Sequence, residues 1–130
     1  MKIKHLTPLW GWGLALLLSF GAMAQSSSDK VLRHVVLFKF KDGTTAEQAK
    51  KVEDAFRKLP TQIKEIKGFE WGTNNSPEGH DQGFTHCFFL TFASEADRAV
   101  YLPHPDHKAF GKVLGPYLDK VLVVDYWTQK

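Results

Sequence analysis

The chain has 130 residues, 43% hydrophobic and 13% aromatic, with 17 basic and 14 acidic side chains and a formal charge of +3. That length holds one domain with one core. No Lys/Arg stripe or basic-aromatic platform is present, which argues against a nucleic-acid partner, and the lone cysteine, Cys87, leaves stability to packing rather than to an internal disulfide.

Lys2 and Lys4 precede an apolar run from Leu14 to Phe20 and then Ala22-Met23-Ala24. This is the pattern of a secretory signal cleaved after Ala24. The run is shorter than the ~20 apolar residues of a spanning helix, so the expectation is a secreted or periplasmic protein with no membrane association after cleavage. Removing residues 1–24 takes away two lysines and no acid, lowering the formal charge from +3 to +1. Residues 25–30 read as a polar leader, 31–127 as the folded domain and 128–130 as a tail.

Val31 to Lys41 is β-branched and aromatic, ends at Asp42-Gly43 and predicts a strand. His34, Val36, Phe38 and Phe40 fall on one face, Arg33, Val35, Leu37 and Lys39 on the other. Thr45 with Gln48 forms a capping box, and Ala49, Val52, Phe56, Leu59 and Ile63 give an amphipathic helix whose last turn Pro60 is expected to disturb. The lysines and acids between these positions read as a solvated face. Phe69 to Thr73 predicts a second strand, Asn74 to Gly83 a polar loop, and Phe84 to Ala93 a third strand with Phe84, His86, Phe88, Leu90 and Phe92 on one face. Cys87, opposite, reads as a small buried residue. Ser94 and Asp97 open a second helix that Pro103 interrupts. Pro105 suits the first position of its continuation, with His104 as cap and Asp106 in the first turn. Val121 to Trp127 predicts a last strand, with Val121, Val123, Asp125 and Trp127 on one side.

This order predicts an α+β fold of ferredoxin-like βαββαβ type, an antiparallel sheet with helices on one face. The other face would carry Val35, Leu37, Phe89, Leu122 and Val124, too large an apolar patch for a lone small domain. A homodimer joined through the sheets, a dimeric α+β barrel, covers it.

The stretch Tyr101 to Phe110, YLPHPDHKAF, gathers a phenol, two imidazoles and a carboxylate around two prolines. His34 and His86 lie on otherwise apolar faces and need partners if buried. If those faces turn toward the helices, His34, His86, His104 and Asp125 converge on one cavity with Val36, Phe38 and Phe88 as its wall, and Asp125 can orient a histidine. The spacing His104-x-x-His107 is a weak metal signal. No metal and no cofactor is assigned.

The segments RHVVLFKFKDG, GFTHCFFLTF, YLPHPDHKAFG and VVDYW together resemble the stress-responsive A/B barrel (Dabb) family of small dimeric α+β barrels. The resemblance implies a βαββαβ subunit and a dimer through the sheets. Within the family, the olivetolic acid cyclase type carries Y-x-x-H-P-x-H, matched by Tyr101, His104, Pro105 and His107. That match implies Tyr101 and His107 as catalytic residues for an aldol-type closure and His34 and His86 as pocket histidines. Phe56 and Val52 depart from it, standing where that type has tyrosine and phenylalanine.

Three functions remain open. One is binding of a small apolar or aromatic, oxygenated ligand between sheet and helices, in a stress response. Another is a cyclase or lyase chemistry in which His107 moves a proton beside a carbonyl while Tyr101 stabilises the enolate. Export speaks against the full polyketide version, whose thioester chains are made in the cytosol. The last is a self-associating structural module whose polar cluster only stabilises the core.

Overall fold

The structure, a computed structural model, describes residues 30–129. The predicted signal sequence, the leader up to Asp29 and Lys130 lie outside them. The elements are β1 (Leu32–Phe40), α1 (Ala46–Gln62), β2 (Gly68–Thr73), β3 (His86–Phe92), α2 (Glu95–Tyr101), α3 (Pro105–Leu114) and β4 (Leu118–Trp127). The strands form one antiparallel sheet in the order β2-β3-β1-β4. This is the expected ferredoxin-like α+β arrangement, with its second helix split in two.

The β1 alternation sorts as its residue types require. Leu32, His34, Val36 and Phe38 are buried, and the residues between them are half-buried on the outer face. α1 begins with the predicted capping box. Thr45 Oγ1 accepts the Gln48 N–H at 3.2 Å, and Gln48 Oε1 accepts the Thr45 N–H at 2.9 Å. Pro60 does not end the helix, which continues to Gln62 and closes with the Ile63 N–H donating to the Leu59 carbonyl. Proline gives up its own donor and crowds the carbonyl of Phe56 four residues back, yet the turn stays helical with Leu59 and Ile63 buried in the core. Val52, Phe56, Leu59 and Ile63 pack onto the sheet with Phe88, Leu90, Phe92, Tyr101 and Phe110. Burial of each such side chain contributes about 1.5–3 kcal/mol.

β4 starts at Leu118 rather than Val121, because a register shift between Lys39 and Phe40 lets pairing continue past Lys120. β3 starts later than predicted, at His86, although the Thr85 N–H still donates to the Phe38 carbonyl. β4 is an edge strand, and the helices leave most of its length uncovered. Val121 and Val123 on its helix side and Leu122, Val124 and Tyr126 on its outer side are all exposed. Val35, Leu37 and Phe89 continue the outer apolar face, half-buried. Cys87 is half-buried on that same face, where the sequence predicts a buried small residue. Burial pushes its thiol up, the opposite of nucleophile activation.

Candidate functional site

The corner between α2 and α3 is built from the stretch that the two prolines punctuate. His104 caps α3, its Nδ1 accepting the Asp106 N–H at 3.1 Å, and Pro105 occupies the first turn, where its missing donor costs nothing. His107, one turn on, reaches back to the end of α2, where its Nδ1 lies 2.9 Å from the Leu102 carbonyl oxygen. A carbonyl can only accept, so Nδ1 carries the proton and Nε2 is left for other partners. The His107 ring stacks on Tyr101, centroids 4.2 Å apart. On the other side, the His34 ring meets Tyr101 edge-on at 5.6 Å.

Between this corner and the helix side of β1 and β4 lies a cavity of about 390 Å³. Val36, Phe38, Phe56, Phe110, Leu114, Leu118, Val121 and Val123 make its apolar wall. Its polar side chains are His34, Tyr101, His107 and Lys108. Tyr101 is 1% exposed, and its hydroxyl has no protein partner among the described residues. No buried side-chain nitrogen or oxygen among them is left unsatisfied, so this hydroxyl opens onto the cavity. Burial pushes the phenol well above its ordinary range, so it stays protonated and can donate.

Strand pairing places His34 opposite Asp125, and His34 Nδ1 sits 2.6 Å from Asp125 Oδ1. The other carboxylate oxygen, Oδ2, takes Arg98 Nη1 at 2.6 Å, so a chain of three side chains runs from α2 through β4 to β1. Burial is the largest influence on His34 and lowers its pKa below the ordinary histidine value of 6.5. The Asp125 hydrogen bond and charge oppose this, while the charges of His107 and Arg98 add to the lowering. The neutral ring therefore prevails despite the carboxylate. A histidine kept neutral in the fold stabilises it fully above pH 6.5, and this contribution is lost as pH falls below 6.5 toward the depressed folded value, because the unfolded chain takes up its proton first. Thermal melts should accordingly show Tm falling from pH 7.5 to pH 5, with a flatter profile in His34→Gln. An unchanged slope in that variant would assign the effect to other groups.

Several residues expected at the cavity stand elsewhere. His86 shares the sheet face of His34 but pairs with Phe38, four positions along β1, about 13 Å at ~3.3 Å per residue. The Phe38 and Phe88 rings, 5.4 Å apart, lie between. Both its nitrogens are engaged, Nε2 with Glu53 Oε1 at 2.9 Å and Nδ1 with Thr85 Oγ1 at 2.8 Å. It is a satisfied core histidine. Phe88 is wholly buried in the ring cluster and does not reach the cavity either. His104 is spent on the helix cap, and Asp125 stands behind His34 rather than at the lining. Among the described residues no group of three His, Cys, Asp or Glu is placed to hold a metal ion, and no helix is long and apolar enough to cross a membrane.

Residues 32–128 match the family model of the Stress responsive A/B Barrel Domain, Dabb. The chain belongs to the Dabb family. Its curated relatives include the Stress-response A/B barrel domain-containing protein HS1 of Arabidopsis thaliana, 40% identical over 73% of this chain and 87% of that protein. Olivetolic acid cyclase of Cannabis sativa is 30% identical over 76% of this chain and 98% of the cyclase. Among solved structures, the hydroxynitrile lyase from Passiflora edulis superposes with a TM-score of 0.73 at 28% identity, covering 78% of this chain and 96% of the lyase. A protein from Bacteroides fragilis described as dimeric and ferredoxin-like superposes at 0.63 with 29% identity, over 75% and 96% of the two chains. The similar proteins thus include a dimer and enzymes, and the solved ones share the fold found here.

Arg98 and Glu53 are site and core partners that sequence reasoning missed. Arg98 lies three residues before Tyr101 and so on the same helix face, which is the available signal for it. Glu53 lies next to Val52 among residues read as solvated, and nothing in the helical pattern separates it from its neighbours.

Proposed function

We propose that this Dabb protein is exported and works as a homodimer joined through the outer sheet faces, each subunit holding a small apolar or aromatic, oxygenated ligand between sheet and helices. The observation that carries this reading is the cavity itself. Its wall is apolar, and a phenol and two imidazoles converge on it from β1, α2 and α3. Its volume lies within the ~300–1,000 Å³ of small-molecule sites, at the lower end. The covered sheet face follows from the exposed Leu122 and Val124 continuing the half-buried Val35, Leu37 and Phe89, and dimeric relatives support it.

Proton transfer beside a carbonyl is the second reading, favoured by one feature. The stacked Tyr101 and His107 offer the cavity a protonated phenol next to an imidazole whose Nε2 has no protein partner among the described residues. An acid and a base so placed suit enolate formation. The cyclase and the hydroxynitrile lyase among the relatives make that chemistry a natural one to test here.

Native mass spectrometry of the exported protein is expected to show a dimer beginning at Gln25 with a small molecule attached. That molecule should raise Tm in the wild type and in Tyr101→Phe alike if binding is the function. Loss of turnover by ~10²-fold or more in Tyr101→Phe and His107→Ala, with both variants folded, would select the catalytic reading. A protein that never carries or responds to a small molecule would remove both.

A further inference from the structure

The chain from Arg98 to Asp125 to His34 decides which nitrogen of a cavity imidazole holds its proton. Arg98 presents only donors, so the Asp125 oxygen it meets must accept. The carboxylate's other oxygen then also accepts, and at 2.6 Å it takes the hydrogen of His34 Nδ1. His34 is held as the Nδ1–H form, with a lone pair on Nε2. That nitrogen has no protein partner among the described residues, and none of their buried side-chain nitrogens is orphaned. His34 is only 5% exposed and lines the cavity, so Nε2 opens there.

His107 is held in the same form by the Leu102 carbonyl. With both imidazoles neutral, the β1 side of the cavity offers the His34 lone pair as an acceptor, with the His107 lone pair and the Tyr101 donor beyond it and the Lys108 ammonium on the α3 side of the lining. A carbonyl, ether or nitrile ligand satisfies the phenol and leaves both imidazole lone pairs facing an acceptor or hydrocarbon. A ligand that brings its own O–H satisfies an imidazole as well, and a hydrogen bond left unmade where the ligand displaces water from an apolar-walled hollow costs affinity.

We propose that Arg98, acting through Asp125, is a positioning residue that fixes the His34 tautomer and thereby selects ligands bringing a hydroxyl donor, a phenol or an enol, to the β1 side of the cavity. This rests on the ligand-binding reading. It adds to that reading a direction for the hydrogen bond and a residue, outside the cavity lining, that sets it.

Arg98 also makes the proposal testable by inversion. In Asp125→Asn the guanidinium requires the amide oxygen on its side, which turns the amide N–H₂ toward His34 Nδ1. A donor there forces the proton to Nε2, and the cavity gains a donor where it had an acceptor. In Asp125→Asn combined with Arg98→Met the amide is free to turn its oxygen back to His34.

The experiment uses the full mature dimer and two matched probes, 4-butylphenol and its methyl ether, 4-butylanisole. Imidazole nitrogen NMR shifts report the His34 tautomer without any ligand, and calorimetry reports both affinities. The expected result is Nδ1–H in the wild type with the phenol bound at least ~10-fold more tightly. Asp125→Asn should show Nε2–H and lose or reverse that preference, and adding Arg98→Met should restore both. Equal affinity for the two probes in the wild type, or a tautomer unmoved by Asp125→Asn, overturns the proposal while leaving the ligand-binding reading intact. Binding of neither probe overturns both.

Discussion

Phe56→Ala is expected to lower the free energy of unfolding by about 3–5 kcal/mol, out of the ~5–15 kcal/mol that a domain of this kind has in total. Phe56 is 1% exposed and lies nearly parallel to Phe88, centroids 4.1 Å apart, with Phe110 edge-on at 4.8 Å and Phe69 stacked at 5.8 Å. Its ring joins α1 to both β3 and α3, so truncation removes transfer energy and aromatic contacts at once. The gap cannot close readily, because Phe56 also forms part of the cavity wall. Space left by the ring becomes continuous with a hollow that is already there, rather than being filled by its neighbours. Urea unfolding should show the loss as a shift in midpoint at nearly constant slope. Val121→Ala makes a suitable control. Val121 lines the same cavity but is 50% exposed, and its truncation should cost no more than about 0.5 kcal/mol. A Phe56→Ala loss as small as that of Val121→Ala would mean that the ring cluster does not hold α1 to the sheet.

The fold was readable because each element carries a local signal that tertiary packing reinforces. Alternation in β1 and β3 separates a helix side from an outer side, Thr45 and Gln48 start α1, and Pro105 restarts the second helix after its break. The candidate site was readable only as far as parity goes. Parity places His34 and His86 on one face, and that holds. Their separation along the sheet depends on register, which comes from long-range pairing, and register puts His86 beside Glu53 and Trp71 instead of at the cavity. The pairing of His34 with Asp125 is a register effect too, readable only as a possibility from two polar residues on apolar faces. Arg98 was passed over for a different reason, despite sharing a helix face with Tyr101. An arginine near the end of an amphipathic helix has an ordinary solvated place available, and only the nearby β4 carboxylate draws it inward. His104 shows the converse, since its capping role needs nothing beyond its own turn and was visible from Pro105 and Asp106 alone.

Gly111→Leu should abolish ligand binding while leaving the protein at least as stable as before. Gly111 sits one turn after His107 on α3, on the stripe that faces the cavity, and a Cβ built on it meets nothing within 4 Å. The position is helical, so glycine is not there for its backbone freedom. Leucine would gain roughly 0.5–1 kcal/mol of helix propensity. Gly111 is exposed where it lines the hollow of about 390 Å³, so the leucine side chain would stand across that opening, beside Phe110, Leu114 and the valines of β4. Calorimetry with 4-butylphenol should show affinity reduced by about 100-fold or more, equivalent to ~2.7 kcal/mol, with Tm unchanged or raised. Stability and binding would then move in opposite directions, which separates occupation of the cavity from damage to the fold. The intermediate Gly111→Ala, with the propensity gain but only one added carbon, should keep most of the affinity. Retained binding in Gly111→Leu would place the ligand elsewhere and leave His34, Tyr101 and His107 as a polar cluster that serves the core. A glycine at this position is thus best explained by the space it leaves, and the leucine variant measures whether that space is used.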